Sequence, residues 1–248
     1  MSRHLAVFTA ACSLALAASA DPEFLLPGPF HVPREQFYPS LKVVAVAPLS
    51  LPRDLDDPGA RRELQALIEG RLHDAGLEVV PARDVAVVAR EVATASGGAY
   101  DRMTGKLDKA KAARIDEEVL RRLREELHAD ALLEPAVVRR YARLEGHRLE
   151  WDGVAEEGES HFWEELWVGH ISGGHIPAVS LQVRLRAATG QPLYERFAGM
   201  KLMERVDGNQ VVTVPRGDLL ADHDVNIRAV HRALDQLLVD PPTPSGAR

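Results

Sequence analysis

The sequence predicts an α/β fold of the α+β kind, a mixed β-sheet with an early βαβ unit, late antiparallel hairpins and helices packed on it. Three observations predict it. A β-branched run at residues 42–48 precedes an amphipathic stretch and a second short apolar run, Leu77-Glu78-Val79-Val80. Val179, Leu181, Val183 and Leu185 alternate strictly with Ser180, Gln182, Arg184 and Arg186. A closing segment repeats Ile227, Val230, Leu234, Leu237 and Leu238 at helical spacing.

Each element has its own local reason. Val43, Val44 and Val46 suit a buried strand. Asp57-Pro58 supplies an N-cap and a proline for the first turn of a helix, whose apolar face is Leu64, Leu67, Ile68, Leu72 and Ala75. Gly76 ends that helix as a C-terminal glycine. After the second strand, a helix over about residues 83–94 is expected to bury Val87, Val88 and Val92. A polar loop follows to about Lys106, then a charged helix to His128 with the stripe Ala112, Ile115, Val119, Leu123 and Leu127. Residues 131–138 read as the next strand, and 139–150 as its continuation into a hairpin turning near Gly146. Thr189-Gly190 turns the clearest strand into a partner over 192–206, and Asp224 is expected to cap the last helix. The early βαβ unit requires parallel pairing; the later hairpins add antiparallel strands.

The ends read differently from the middle. Met1-Ser2-Arg3-His4 precedes an uncharged apolar run from Leu5 to Ala18, and Ala18-Ser19-Ala20 stands before Asp21-Pro22. A basic start, an apolar centre and a small-x-small triplet match a signal peptide over residues 1–20. Cys12 opens a second reading, a lipid anchor, although Thr9 stands where lipid-modified proteins carry a large aliphatic residue. Simple cleavage after Ala20 is favoured, and it leaves a chain without cysteine. Residues 21–40 hold five prolines and read as an extended arm; 41–239 form a single domain, and 240–248 a disordered tail. Export places the protein in the periplasm, with an outer-membrane lipoprotein as the alternative.

Composition narrows the partners. The net charge is −7, and no long basic block occurs, so nucleic acid is not expected as a partner. A membrane enters only through the anchor at Cys12. At 46% hydrophobic the chain is globular in composition.

The order of elements resembles the α/β module of the CsgG-type, LpoB-type and TolB amino-terminal cell-envelope proteins. Val43-Val44-Ala45-Val46-Ala47-Pro48 resembles their opening strand and Leu77-Glu78-Val79-Val80 their second. Leu127-His128-Ala129-Asp130-Ala131-Leu132-Leu133 is similar to their helix-to-strand junction, and the hairpin of 180–188 with 192–197 to their paired strands. The likeness runs over roughly residues 42–240. The stretch from Trp151 to Ile176 has no counterpart in it. The resemblance implies an assembly or accessory protein that binds another envelope component.

Motifs for chemistry are sparse. Six residues separate Gly98 from Gly105-Lys106 where a P-loop has four, and Leu107 stands at the magnesium-binding position. Gly97, Gly98, Tyr100, Asp101 and Gly105 instead read as a shaped loop, structural turn chemistry before a ligand site. His161, His170 and His175 are candidate metal ligands, but their spacing lacks the tight pairs that zinc sites show. No Gly-x-Ser-x-Gly elbow occurs, and the paired glutamates sit in charged stretches beside arginines. No catalytic residue and no cofactor is indicated.

All three tryptophans, Trp151, Trp163 and Trp167, fall within one short span of a chain that is only 5% aromatic. Trp151 belongs on a strand and is expected in the core. His161, Phe162, Trp163 and Trp167 are the candidate partner-binding residues. The leading expectation is a non-enzymatic envelope protein that acts by protein–protein binding. A periplasmic small-ligand or metal-binding protein or hydrolase is the rival, and a structural subunit of a homo-oligomer is the third reading.

Overall fold

One long strand organises the sheet. The computed structural model describes residues 28–101, 104–145, 148–157, 175–207 and 210–238. In chain order the elements are α1 (Arg34–Phe37), β1 (Val43–Val46), α2 (Pro58–Asp74), β2 (Glu78–Val80), α3 (Ala82–Ala95), α4 (Lys109–Leu127), β3 (Ala131–Glu145), β4 (Arg148–Trp151), β5 (Val154–Glu157), β6 (His175–Ala187), β7 (Pro192–Leu202), β8 (Glu204–Asp207), β9 (Gln210–Thr213) and α5 (His223–Leu238). The fold is the expected α/β class. β1 pairs in parallel with β2 and with the start of β3, and β6 runs antiparallel to β3 from Ala131 to Arg143 and pairs on its other side with β7.

The sheet forks along one edge of β3. Its first residues pair with β1 and its last with β4, so the lower half has the order β2-β1-β3-β6-β7 and the upper half β5-β4-β3-β6-β7. Asp130 fastens the lower half, because its Oδ2 accepts from the backbone N–H of Lys42 and Val43 at 2.8 and 2.9 Å.

Helices cover both faces of the lower half. On one side α2 and α5 press Leu64, Ile68, Leu72, Val230, Leu234 and Leu237 onto Val44, Val46, Leu133, Leu181, Val183 and Leu185. On the other, Val85, Val88 and Val92 of α3 and Val119, Leu120 and Leu123 of α4 cover Ala45 and Leu132. Each fully buried Leu, Ile or Val contributes about 1.5–3 kcal/mol of transfer free energy. Val87, expected in the core, is 48% exposed. The buried stripe runs Val85, Val88, Val92, the three-and-four spacing that one helical face permits.

Helix ends follow the sequence with one exception. Asp57 Oδ1 accepts from the N–H of Ala60 at 2.8 Å, and Gly76, at φ 82°, ends the turn after α2. The last helix is capped by Asp222, whose Oδ1 accepts from the N–H of Val225 at 3.1 Å, and not by Asp224. The helix begins at His223, two residues earlier than a cap at Asp224 requires, and the cap position shifts with it.

Two further differences concern chain paths. Residues 29–40, read from their prolines as part of an extended arm, pack on the domain. The Phe30 ring packs at a tilt against Tyr194 with centroids 5.0 Å apart, Arg34 Nε donates to the Leu237 carbonyl at 2.7 Å, and Tyr38 Oη donates to that of Leu238 at 3.2 Å. They satisfy carbonyls that the end of α5 leaves without helical partners. The strand expected over 192–206 breaks at Met203, and β8 turns away to pair with β9, which the sequence reading missed. The signal-peptide and tail residues, 1–20 and 240–248, lie outside the described residues.

Candidate functional site: the curled end of the sheet

β3 is far longer than the helix beside it. Its 15 residues span roughly 50 Å of strand, whereas the 16 residues of α5 rise about 24 Å. The upper half of the sheet therefore projects beyond the helical layers. It curls to bury its own apolar side chains, Ala142, Leu149, Trp151, Ile176, Ala178 and Leu202.

A two-residue turn closes the curl. Asp152 and Gly153 both have positive φ, 40° and 78°, the geometry of a tight turn whose twist matches its strands. The turn leans on β7, where the Asp152 carbonyl accepts from the Gly199 N–H at 2.9 Å. The Asp152 carboxylate accepts from Ser180 Oγ at 2.7 Å and from Arg140 Nε at 3.1 Å, and the Arg140 guanidinium lies 4.4 Å over the Phe197 ring. Ser180 is fully buried, so this is a structural clasp: its hydroxyl is spent on Asp152 and no solvent reaches it. Gly199 is required by close approach, since a Cβ there would stand 2.6 Å from Trp151 Nε1.

The outer face of the curl carries the open groove of about 890 Å³ lined by Arg139, Tyr141, Arg143, Glu150, Gly153 and His175, among others. Strand pairing explains the arrangement. Arg143 stands between Glu150 on β4 and His175 on β6, and Ala155 on β5 follows Glu150. Tyr141, two residues back along β3, shares that face and is 66% exposed. Its ring meets that of His175 edge-on, with centroids 6.4 Å apart. At the lower rim Arg139 pairs with Asp54.

Two arginines below the curl, Arg184 and Arg186, are paired with carboxylates. Arg186 is held by Asp116 at 2.7 Å and Glu134 at 2.8 Å, and these hydrogen bonds stabilise its charged form. The Arg184 guanidinium, at 2.8 Å, holds the Glu195 carboxyl below the usual carboxylate range, and Gln182 adds a second hydrogen bond. These contacts lock strands β6 and β7 and the helix α4 together rather than leaving a group poised for proton transfer.

The sequence-predicted site residues fall in three places. Gly97, Gly98, Tyr100, Asp101 and Gly105 come together in one loop between α3 and α4. All three glycines have positive φ, Asp101 Oδ1 accepts from Thr104, and a bridge joins Tyr100 to Leu107. His175 lies in the groove. His161, Phe162, Trp163, Trp167 and His170 lie outside the described residues, on the connection that leaves β5 at Glu157 and joins β6 at His175. Trp151 is buried inside the curl, 4% exposed. Among the described residues no group of three or more His, Cys, Asp or Glu side chains is placed to hold a metal ion. Arg139, Tyr141 and Arg143 were missed by sequence reasoning; the break in apolar alternation after Val138, Arg139-Arg140-Tyr141-Ala142-Arg143, was the signal.

No family model matches the chain, and no curated protein matches it. Among solved structures it is similar to lipoprotein GNA1162 from Neisseria meningitidis, at 18% identity and TM-score 0.32 over 67% of this chain and 88% of that one. It is also similar to the PelC dodecamer from Paraburkholderia phytofirmans, at 15% identity and TM-score 0.34 over 81% and 90%. A third likeness is to the hypothetical protein CT253 from Chlamydia trachomatis, at 14% identity and TM-score 0.37 over 79% and 95%.

Proposed function

We propose that this chain is an accessory protein of the bacterial cell envelope that binds another envelope protein through the groove on its curled end. The observation that carries the reading is Tyr141, a large aromatic two-thirds exposed between arginines on a rigid strand. Tyrosine and arginine are the residue types that dominate binding energy at protein interfaces, and a strand presents them without the entropy cost of an ordering loop. The export-type start, residues 1–20, supports the envelope location. No helix among the described residues is long and apolar enough to cross a membrane. In this reading His161, Phe162, Trp163 and Trp167, which lie outside the described residues, remain candidates for contact with the same partner.

The test is retention of a partner from an envelope extract by purified protein, compared with Tyr141→Ser and with Tyr100→Ser on the distant loop. A hot-spot tyrosine carries about 2 kcal/mol or more, so Tyr141→Ser is expected to weaken retention about thirtyfold, and Tyr100→Ser to leave it unchanged. Equal retention by both variants contradicts the assignment.

A further inference from the structure

A second feature lies on the far side of the Asp152-Gly153 turn. Arg196 on β7 and Arg228 and Arg232 on α5 gather where β7, α5 and the turn meet. Arg228 and Arg232 are four residues apart and so share a helical face. Arg232 Nη1 donates to the Gly199 carbonyl at 3.0 Å, and its Cδ lies 3.1 Å from where a Cβ on Gly153 would stand. A Cβ in the turn would press on this side chain, which would have to give by a few tenths of an ångström. Arg196 pairs with Val183 across the sheet, so it points to the same side as α5.

Among the described residues no carboxylate lies within ion-pair distance of these three guanidinium groups. Arg71, Arg140, Arg184 and Arg186 each have an acidic partner within ion-pair distance. Among the described residues, Arg196, Arg228 and Arg232 have none. Burial lowers the pKa of Arg232, and its charged neighbours Arg228 and Arg196 lower it further. The Arg196 Nε is buried and has no hydrogen-bond acceptor. In a chain of net charge −7 such a cluster is not a by-product of a basic surface. Three like charges held together, two of them partly buried, are unfavourable unless an anion joins them, and guanidinium forks match the oxygens of a phosphate.

We propose that Arg196, Arg228 and Arg232 form a binding site for a phosphate-type oxyanion. The site is independent of the Tyr141 groove and of the partner assigned to it. Two sources share this chemistry, a soluble phosphate and the phosphodiester of a lipid headgroup, and the experiment separates them.

The protein is titrated with inorganic phosphate against chloride at constant ionic strength, with Tm and binding heat as readouts. A ligand that binds only the folded state raises Tm. The same protein is sedimented with vesicles of phosphatidylglycerol and of phosphatidylcholine. Because Arg232 also braces Gly199, the decisive variant is Arg228→Gln, which sits on the exposed side of the cluster; its Tm without phosphate should equal or exceed that of the parent. Removing one charge-assisted contact is expected to weaken the response about tenfold. A response to free phosphate that falls in Arg228→Gln assigns a soluble anion. Sedimentation with phosphatidylglycerol only, lost in Arg228→Gln, assigns a headgroup. No response in either arm, or one that Arg228→Gln and Arg196→Gln leave unchanged, overturns the proposal.

Discussion

Replacing Gly199 by alanine tests whether the curl depends on close approach of the Asp152-Gly153 turn to β7. The added Cβ would stand 2.6 Å from Trp151 Nε1, 2.7 Å from Val154 Cγ2 and 2.9 Å from the Trp151 carbonyl oxygen. Two of these atoms lie on a buried ring and on backbone, so neither can swing away as the end of a flexible chain would. Overpacking of this kind costs about 1–3 kcal/mol, and lifting the turn also loses the hydrogen bond from Gly199 to Asp152, worth about 1 kcal/mol. The expected loss is about 2–4 kcal/mol, or a fall in Tm of roughly 5–15 °C. Urea denaturation followed by the fluorescence of Trp151, in a background with Trp163 and Trp167 replaced by Phe, measures it. The emission of Trp151 should also shift to the red in the native variant as water enters the curl. A variant within about 0.5 kcal/mol of the parent, with unshifted emission, would refute the packing argument.

Other consequences can be checked alongside. Asp130→Ala removes the acceptor of two backbone N–H groups that join β1 to β3, and is expected to destabilise the protein by about 1–3 kcal/mol in the same denaturation assay. Tyr194→Phe deletes the buried hydrogen bond, 2.6 Å, to the Ala233 carbonyl and is expected to cost about 1 kcal/mol by urea titration. Glu195 has its carboxyl lowered by Arg184, so its contribution to stability is present above its unfolded pKa and lost as pH falls through the depressed folded value; Glu195→Gln should flatten the acid limb of a Tm-against-pH curve. Tyr141→Ser changes only an exposed side chain and should leave Tm and urea midpoint unaltered.

Much of the lower half of the fold was legible because its signals are local. Asp57-Pro58 and Gly76 bracket α2, and the alternation from Val179 to Arg186 marks a strand with one face under α5. Failures came where the deciding contact is distant. Prolines made residues 29–40 look extended, yet Phe30, Arg34 and Tyr38 find Tyr194 and the end of α5, more than 150 residues away. Asp152-Gly153 is a strong hairpin signal that the neighbouring tryptophans obscured, and without it the curl and its groove do not emerge. The arginine cluster joins one strand to one helix, and only the sheet register places Arg196 on the α5 side. Tyr141 was hidden for a similar reason. Alternation tells which face a strand residue takes, but not that the helices covering that face stop short of it.

The most direct test of the binding-module account is site-specific photocrosslinking in living cells, with the reactive residue placed at Tyr141 and, for comparison, at exposed Val87 on α3. The account predicts one discrete heteromeric product from position 141, diminished by Arg143→Glu, and none from position 87. Equal labelling at the two positions, or no product at 141 from a stably expressed protein, would contradict it.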